Sequence, residues 1–277
     1  MGRWSAEYHA GARSKRFTAP SFVPYPENMN PSKRLQDKVC LVTGATRGIG
    51  LAITRMLVAE GASVAICGRS EPSVSQAILT FRDESPSKVK GKVADVSDCD
   101  QVQELFAFVI REFGGLDVLV NNAGIGSFAS VSDTTPEQWA ATLATNLTGT
   151  FYCSREALHR FRKPMDGNPG GGHIVNISSL AGKNAFAGGG AYNASKFGVN
   201  GFSEALMLDA RYNNVRVSTI APGSVATEFA GGRGENGRDW KVWPEDVAEI
   251  VRMVLCMPSR SMVSYVEVRP SRPKRKA

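Results

Sequence analysis

A chain of 277 residues, 42% hydrophobic and 21% charged, suits one large α/β domain or at most two small ones. The formal charge of +7 is not spread over a folded face. Residues 1–36 carry +4 and residues 269–277 carry +5, which leaves −2 between them, so the folded part is not expected to bind nucleic acid. The opening stretch MGRWSAEYHAGARSKRFTAPSFVPYPEN (1–28) bears arginines, has few acids and ends rich in proline. A transit peptide, a disordered extension and an upstream start ahead of Met29 are all consistent with it, and residues 1–36 are expected to form a flexible basic extension.

From residue 37 the pattern is regular. KVCLVTG (38–44) is a β-rich apolar run ending in glycine, which predicts a buried strand, and IGLAITRMLVAEG (49–61) has helical spacing up to Gly61. SVAICG (63–68) and KVADVSD (92–98) predict the second and third strands, and DQVQELFAFVIREFG (100–114) a helix closed by glycine. LDVLVNNAG (116–124) is a fourth strand. Residues 135–161 read as one long helix with Pro136 near its start, where proline is tolerated. A fifth strand over GHIVNIS (172–178), a helix over 191–211, a sixth strand over VRVSTIAPG (215–223) and a helix over 244–257 follow. SYVEVRP (264–270) is a candidate seventh strand, and 271–277 a solvated basic tail. Strands alternating with helices predict βαβ units and a doubly wound parallel α/β sheet, in a single domain over 37–270. No run of 18 apolar residues is present, so no membrane span is expected.

The cysteines Cys40, Cys67, Cys99, Cys153 and Cys256 are odd in number and form no C-x-x-C, which suits a reducing compartment. The cytoplasm is the expected location, with organellar targeting by residues 1–28 as the alternative. Three scattered histidines give no zinc pattern, and no metal is expected.

In a doubly wound sheet, ligands bind at the carboxyl ends of the strands. The first strand runs into TGATRGIG (43–50), where Gly44 allows a tight turn and Gly48 and Gly50 let a pyrophosphate approach a helix N-terminus. Strand two ends AICGRS with no acid at 66–70 to bind a free ribose 2′-hydroxyl. Gly68 leaves room, and Arg69 with Arg47 offers two cations to a 2′-phosphate, so NADP(H) is expected over NAD(H). In AYNASKFGVNGF (191–202), Tyr192 and Lys196 stand one helical turn apart on one face, a spacing that two surface residues meet as readily as a catalytic acid and its cation.

TGATRGIG, DV (95–96), NNAG (121–124), TNLTG (145–149), NISS (176–179), YNASK (192–196) and APGSVAT (221–227) together resemble the short-chain dehydrogenase/reductases, in that family's order and spacing. The resemblance implies a Rossmann-type catalytic domain with Tyr192 as general acid and base. It implies that Lys196 holds the nicotinamide ribose and lowers the tyrosine pKa, and that Ser179, thirteen residues before the tyrosine, bonds the substrate oxygen in preference to Ser178. Asn146 would support a water-linked proton relay to Lys196. Ile49 would join the glycine turn, Asp95 and Val96 would hold the adenine, and Asn122, Ala123 and Gly124 would line the adenosine side. Pro222, Gly223, Val225 and Thr227 would meet the nicotinamide end, with Asn121 bridging strands.

The ending SYVEVRP departs from the glycine-rich finish common in that family, which puts in doubt an assembly built on C-terminal strand contacts. EFAGGRGENGRDWKVWPED (228–246) stands where the family places a substrate lid, and Phe229, Trp240 and Trp243 are candidate pocket residues. The expected activity is hydride transfer between NADP(H) and a small-molecule carbonyl or alcohol. Reduction of 3-oxoacyl groups on an acyl-carrier protein is an alternative, with Arg160, Arg162 and Lys163 facing an acidic carrier. A non-catalytic dinucleotide-sensing protein is an alternative of another class. A homodimer or homotetramer is expected, with helices 135–161 and 191–211 pairing across it.

Overall fold

In the computed structural model, residues 33–82, 88–161, 170–229 and 240–273 are described. They form a seven-stranded parallel sheet in the order β3-β2-β1-β4-β5-β6-β7. The strands are β1 (Val39–Val42), β2 (Ser63–Gly68), β3 (Val89–Val93), β4 (Val118–Asn121), β5 (Gly172–Ile177), β6 (Val215–Pro222) and β7 (Tyr265–Val268). The helices are α1 (Gly48–Ala59), α2 (Glu71–Leu79), α3 (Cys99–Phe113), α4 (Pro136–Leu143), α5 (Gly149–Arg160), α6 (Gly190–Ala210) and α7 (Pro244–Leu255). This is the doubly wound α/β architecture expected from the alternating pattern.

Side chains alternate across each strand, which sends one half of every apolar run to each face. Cys40, Val42, Val64 and Ile66 pack with Ile53 and Leu57 of α1 and Val247 and Val251 of α7. Val39, Leu41, Ala65 and Cys67 pack on the opposite face with Leu105, Phe106 and Val109 of α3, Ala157 of α5 and Leu206 of α6. Burial on both faces is why the strands read as continuous apolar runs.

Local signals set several boundaries. Asp98 caps α3 by accepting from the N–H groups of Asp100 and Gln101, and Gly114 closes it at φ 76°. Thr135 and Gln138 form a reciprocal capping box at the start of α4, with Pro136 in the first turn.

Other boundaries differ from expectation. Residues 136–160 are helical without a break, as expected, but a π-helical turn at Ala144–Thr148 lies between α4 and α5. Helix α2 carries no clear period because only Val74 and Ala77 are buried. The third strand lies at 89–93 rather than 92–98: Val93 is the last residue paired with β2, the Ala94 N–H makes a final bond to the Gly68 carbonyl, and Asp95–Asp98 turn into the cap of α3. Strand β4 ends at Asn121, which frees Asn122–Gly124 for the edge of the sheet. SYVEVRP does supply the seventh strand, paired in parallel with β6. Leu35, placed by sequence in the extension, is buried in the core, and its N–H donates to the Glu60 carbonyl at 3.0 Å.

One buried titratable group sits far from the carboxyl edge. His173 Nε2 lies 2.8 Å from Ser218 Oγ, and that hydroxyl donates to the Val263 carbonyl at 2.6 Å. The serine proton is therefore used, and the imidazole donates from Nε2. Nδ1 has no hydrogen-bond partner among the described residues. Burial, helped by Arg216, pushes the His173 pKa down to about 3. The unfolded chain takes up that proton first, so stability is full above pH 6.5 and is lost as pH falls, by about 1.4 kcal/mol per pH unit. His173→Gln keeps a donor without the titration. Urea unfolding between pH 6.5 and 5 is expected to show a shallower loss for the variant than for the wild type, and parallel slopes would contradict the assignment.

Candidate active site

The carboxyl ends of β1, β2, β4, β5 and β6 open onto a cavity of about 780 Å³. Of the predicted site residues, all but Gly50 and Asn146 line it. Those two are buried behind its wall.

At one end lies the turn from β1 into α1. Gly44 has φ +60°, and a Cβ there would stand 2.7 Å from the Ala123 Cα, so glycine is needed both for the turn and for the approach of the β4 loop. Arg47 precedes α1 in extended conformation with no side-chain cap, which leaves first-turn N–H groups open to an anion. Asn122 does not reach outward. Its amide donates to the carbonyls of Thr43 and Gly44 at 3.0 and 2.9 Å, and its own N–H donates to Thr43 Oγ1 at 3.1 Å, so it braces the glycine turn. Asp95 is held by the N–H and hydroxyl of Ser97. The space beside Gly68 is taken by the Thr46 methyl, 2.6 Å from where a Cβ would stand. Arg69 and Arg47 both line this end, and Arg47 pairs with Glu228 at 3.6 Å. Uncapped amides, a glycine turn without side chains and two arginines make a cradle that fits a dinucleotide with a further phosphate.

The loop after β6 forms the opposite wall. The Gly223 N–H donates to the Val268 carbonyl on β7 at 2.7 Å. A short parallel bridge joins Val225 to Val242, which places Lys241 at the cavity. Phe229 lines the cavity as expected, whereas Trp240 and Trp243 do not, and Trp243 stands exposed at the start of α7. Residues 230–239 of the expected lid lie outside the described residues.

The first turns of α6 bring Tyr192 and Lys196 to the centre. Lys196 Nζ is 5.8 Å from the tyrosine ring centroid and donates to the Ile177 carbonyl at 2.9 Å. Burial pulls the lysine down to about 8. Burial also raises the tyrosine above its ordinary value, and a hydrogen bond with the Ser179 side chain opposes this in part. Burial is the larger of the two effects, so in the free protein the tyrosine stands above its ordinary value rather than below it. The two serines separate clearly: Ser178 Oγ donates to Asn200 Oδ1 at 2.6 Å, while Ser179 faces Tyr192.

Asn146 occupies the π-helical turn. Its Oδ1 accepts from the Ile125 N–H at 2.8 Å, and its Nδ2 donates to the Ile125 carbonyl and to Ser195 Oγ, both at 2.9 Å. Ser195 in turn donates to the Tyr192 carbonyl. The amide of Asn146 is therefore engaged at both ends, as a clamp between the β4 loop and α6. Sequence reasoning missed Thr43, Ser195, Phe128 and Phe186. Thr43 and Ser195 lie inside quoted motifs, but a hydroxyl spent on backbone leaves no sequence signal. Among the described residues no group of histidine, cysteine or carboxylate side chains could hold a metal ion, and no helix is long and apolar enough to cross a membrane.

A family model described as short chain dehydrogenase matches residues 38–237. An uncharacterized oxidoreductase of Staphylococcus saprophyticus is 34% identical over 236 residues, 85% of this chain and 98% of its own length. A 3alpha-hydroxysteroid dehydrogenase of Mediterraneibacter gnavus is 36% identical over 196 residues, 70% of this chain and 76% of its own length. An alcohol dehydrogenase from the archaeon Thermococcus sibiricus, solved with 5-hydroxy-NADP, superposes with a TM-score of 0.77 at 27% identity, over 86% of this chain and 99% of that one. A metagenomic short-chain oxidoreductase solved with NADP superposes with a TM-score of 0.71 at 34% identity and the same coverage.

The buried lysine carries a cost that can be measured. A fall from its ordinary 10.5 to about 8 corresponds to roughly 3 kcal/mol of destabilisation, fully present below pH 8 and relieved as pH rises toward 10.5. Its single bond to Ile177 returns roughly 1.5–3 kcal/mol. Lys196→Met is therefore expected to unfold in urea at pH 7 at the wild-type midpoint or above it. A loss beyond about 1 kcal/mol would show that the ammonium is a net stabiliser.

Proposed function

The chain belongs to the short-chain dehydrogenase family, and from that premise we propose that this oxidoreductase moves a hydride between NADP(H) and a carbonyl or alcohol, with Tyr192 as the proton donor and acceptor. The observation that carries the reading is the meeting of Tyr192, Ser179 and the Lys196 ammonium, one helical turn from the tyrosine, in the same cavity as the glycine turn.

The bound dinucleotide supplies the hydride. This chain's residues supply position and proton. In reduction, Ser179 donates to the substrate carbonyl oxygen, and Tyr192 gives that oxygen its proton as negative charge develops there. A phenol held above its ordinary pKa keeps its proton until that charge appears, which suits the reductive direction. Lys196 has two N–H groups beyond the one on Ile177, and these would hold the nicotinamide ribose. Asn146 positions the site by fixing Ile125 and, through Ser195, the backbone of Tyr192.

The preference for NADP(H) rests on Arg69 after β2, where no acid stands at 66–70 to meet a ribose hydroxyl, and on Arg47 in the glycine turn. Two relatives in fold were solved with NADP or a derivative of it, which agrees with this reading. For the acyl-carrier alternative, Arg160 is already paired with Glu156 at 3.8 Å, and Arg162 and Lys163 lie outside the described residues. The non-catalytic alternative leaves the Tyr192–Ser179 contact and the cost of burying Lys196 without a use. A homodimer through α4, α5 and α6 is supported by Trp139, Phe151, Phe197 and Leu208, which are apolar and exposed on those helices.

Tyr192→Phe is expected to lower kcat by at least about a hundredfold while the NADPH dissociation constant moves only a few-fold. Undiminished turnover would remove the proton role. Arg69→Ala is expected to weaken NADPH by about ten- to a hundredfold, the loss of one charge-assisted contact, and NADH hardly at all. Equal losses for both cofactors would remove the 2′-phosphate argument. Sedimentation at micromolar concentration is expected to give twice the chain mass or a multiple of that, and a strict monomer would contradict the helix pairing.

A further inference from the structure

Three phenylalanines from three separate segments converge on Tyr192. The Phe128 ring lies 5.6 Å from the tyrosine ring, edge to face, Phe229 lies 5.8 Å from Tyr192, and Phe186 joins them through Phe128 at 5.8 Å. All three line the cavity yet keep 47%, 47% and 40% of their surface exposed. Apolar rings left open to water beside a reactive hydroxyl are unfavourable in the free protein and are covered when an apolar ligand enters.

The arrangement is held rather than accidental. A parallel bridge joins Ala129 to Gly189, which ties the loop of Phe128 to the loop of Phe186. The Asn193 amide donates to the Phe186 carbonyl at 3.1 Å. Gly126 leaves the space in which two of the rings meet: a Cβ there would stand 2.8 Å from Phe229 Cε1 and 2.9 Å from Phe128 Cζ. Beside the rings stand the hydroxyls of Ser179 and Tyr192, which need one oxygen between them, while Asn184, Ser224, Glu228 and Lys241 are polar groups elsewhere on the cavity wall.

We infer that the three rings make the site selective for a carbonyl carried on or directly beside a rigid, uncharged ring, an aryl or fused-ring ketone, together with the matching alcohol in reverse. A flat ring touches several aromatic edges and faces at once and has no internal rotations to lose, whereas a flexible acyl chain pays for each immobilised bond. This substrate class rests on the reductase reading for its chemistry. The hydride adds to the carbonyl carbon, the Tyr192 proton goes to the oxygen, and the tyrosine regains its proton from water through the site.

The test compares acetophenone with 2-octanone, which have equal carbon counts, at saturating NADPH. Wild type is expected to favour acetophenone at least about tenfold in kcat/KM. Phe128→Leu and Phe229→Leu keep apolar bulk without the ring. They are expected to raise KM for acetophenone about tenfold while 2-octanone and NADPH affinity stay within twofold. Equal or better use of 2-octanone by wild type, or equal losses for both ketones in the variants, would overturn the inference. If wild type binds NADPH but reduces neither ketone, the reductase reading fails instead. The clamp is then decided by calorimetric titration of 2-naphthol in the presence of NADPH: tenfold weaker binding to both variants supports it, and no binding or unchanged binding overturns it.

Discussion

Two asparagines at the carboxyl edge of the sheet fix what surrounds them. Asn121 at the end of β4 donates to Asn176 of β5 at 2.8 Å and to Ser154 of α5 at 3.0 Å. Asn176 donates to Ser203 of α6, also at 2.8 Å. All four residues are buried, where an unmade hydrogen bond costs several times what a made one contributes. Asn121 Oδ1 has no hydrogen-bond partner among the described residues, but the three bonds that are made favour this placement of α5 and α6 on the sheet. That placement decides where Lys196 meets the end of β5 and where Tyr192 faces Ser179. The expectation that Asn121 bridges strands is met by this contact.

Around the seam, the protein keeps several arrangements that stability alone does not favour. Lys196 is buried as a cation with one protein acceptor. The π-helical turn breaks the α-helical period of a continuous helix so that Asn146 can span to Ile125, and three phenylalanine rings stay half open to solvent. Each is unfavourable locally and each borders the same cavity. Such a concentration is what a site selected for chemistry looks like, since a core selected only for stability would remove it.

Much of this was legible in the sequence, for definite reasons. Apolar runs bounded by glycine gave the strands because both faces of a parallel sheet are buried. The Tyr192–Lys196 spacing gave their shared face because α6 is regular there. Arg69 was readable because a missing acid at a fixed strand end is a local fact. What escaped reading was non-local. Helix α2 is mostly solvent-facing and has too few buried positions to show a period. The π-helical turn has no compositional mark. Phe128 and Phe186 stand on loops whose convergence depends on the Ala129–Gly189 bridge between distant segments. The raised tyrosine pKa escaped reading because residue type says nothing of how deeply the fold buries the phenol.

The most direct test of the central claim, that this cavity performs hydride transfer to a carbonyl carbon, is isotopic. NADPH deuterated at the nicotinamide C4 is incubated with the protein and a panel of ketones, aldehydes and a 3-oxoacyl thioester, and the products are weighed by mass spectrometry. The account predicts an alcohol product with deuterium on the carbinol carbon, formed in step with loss of the reduced cofactor. Bound NADPH with no labelled alcohol from any carbonyl in the panel would contradict it.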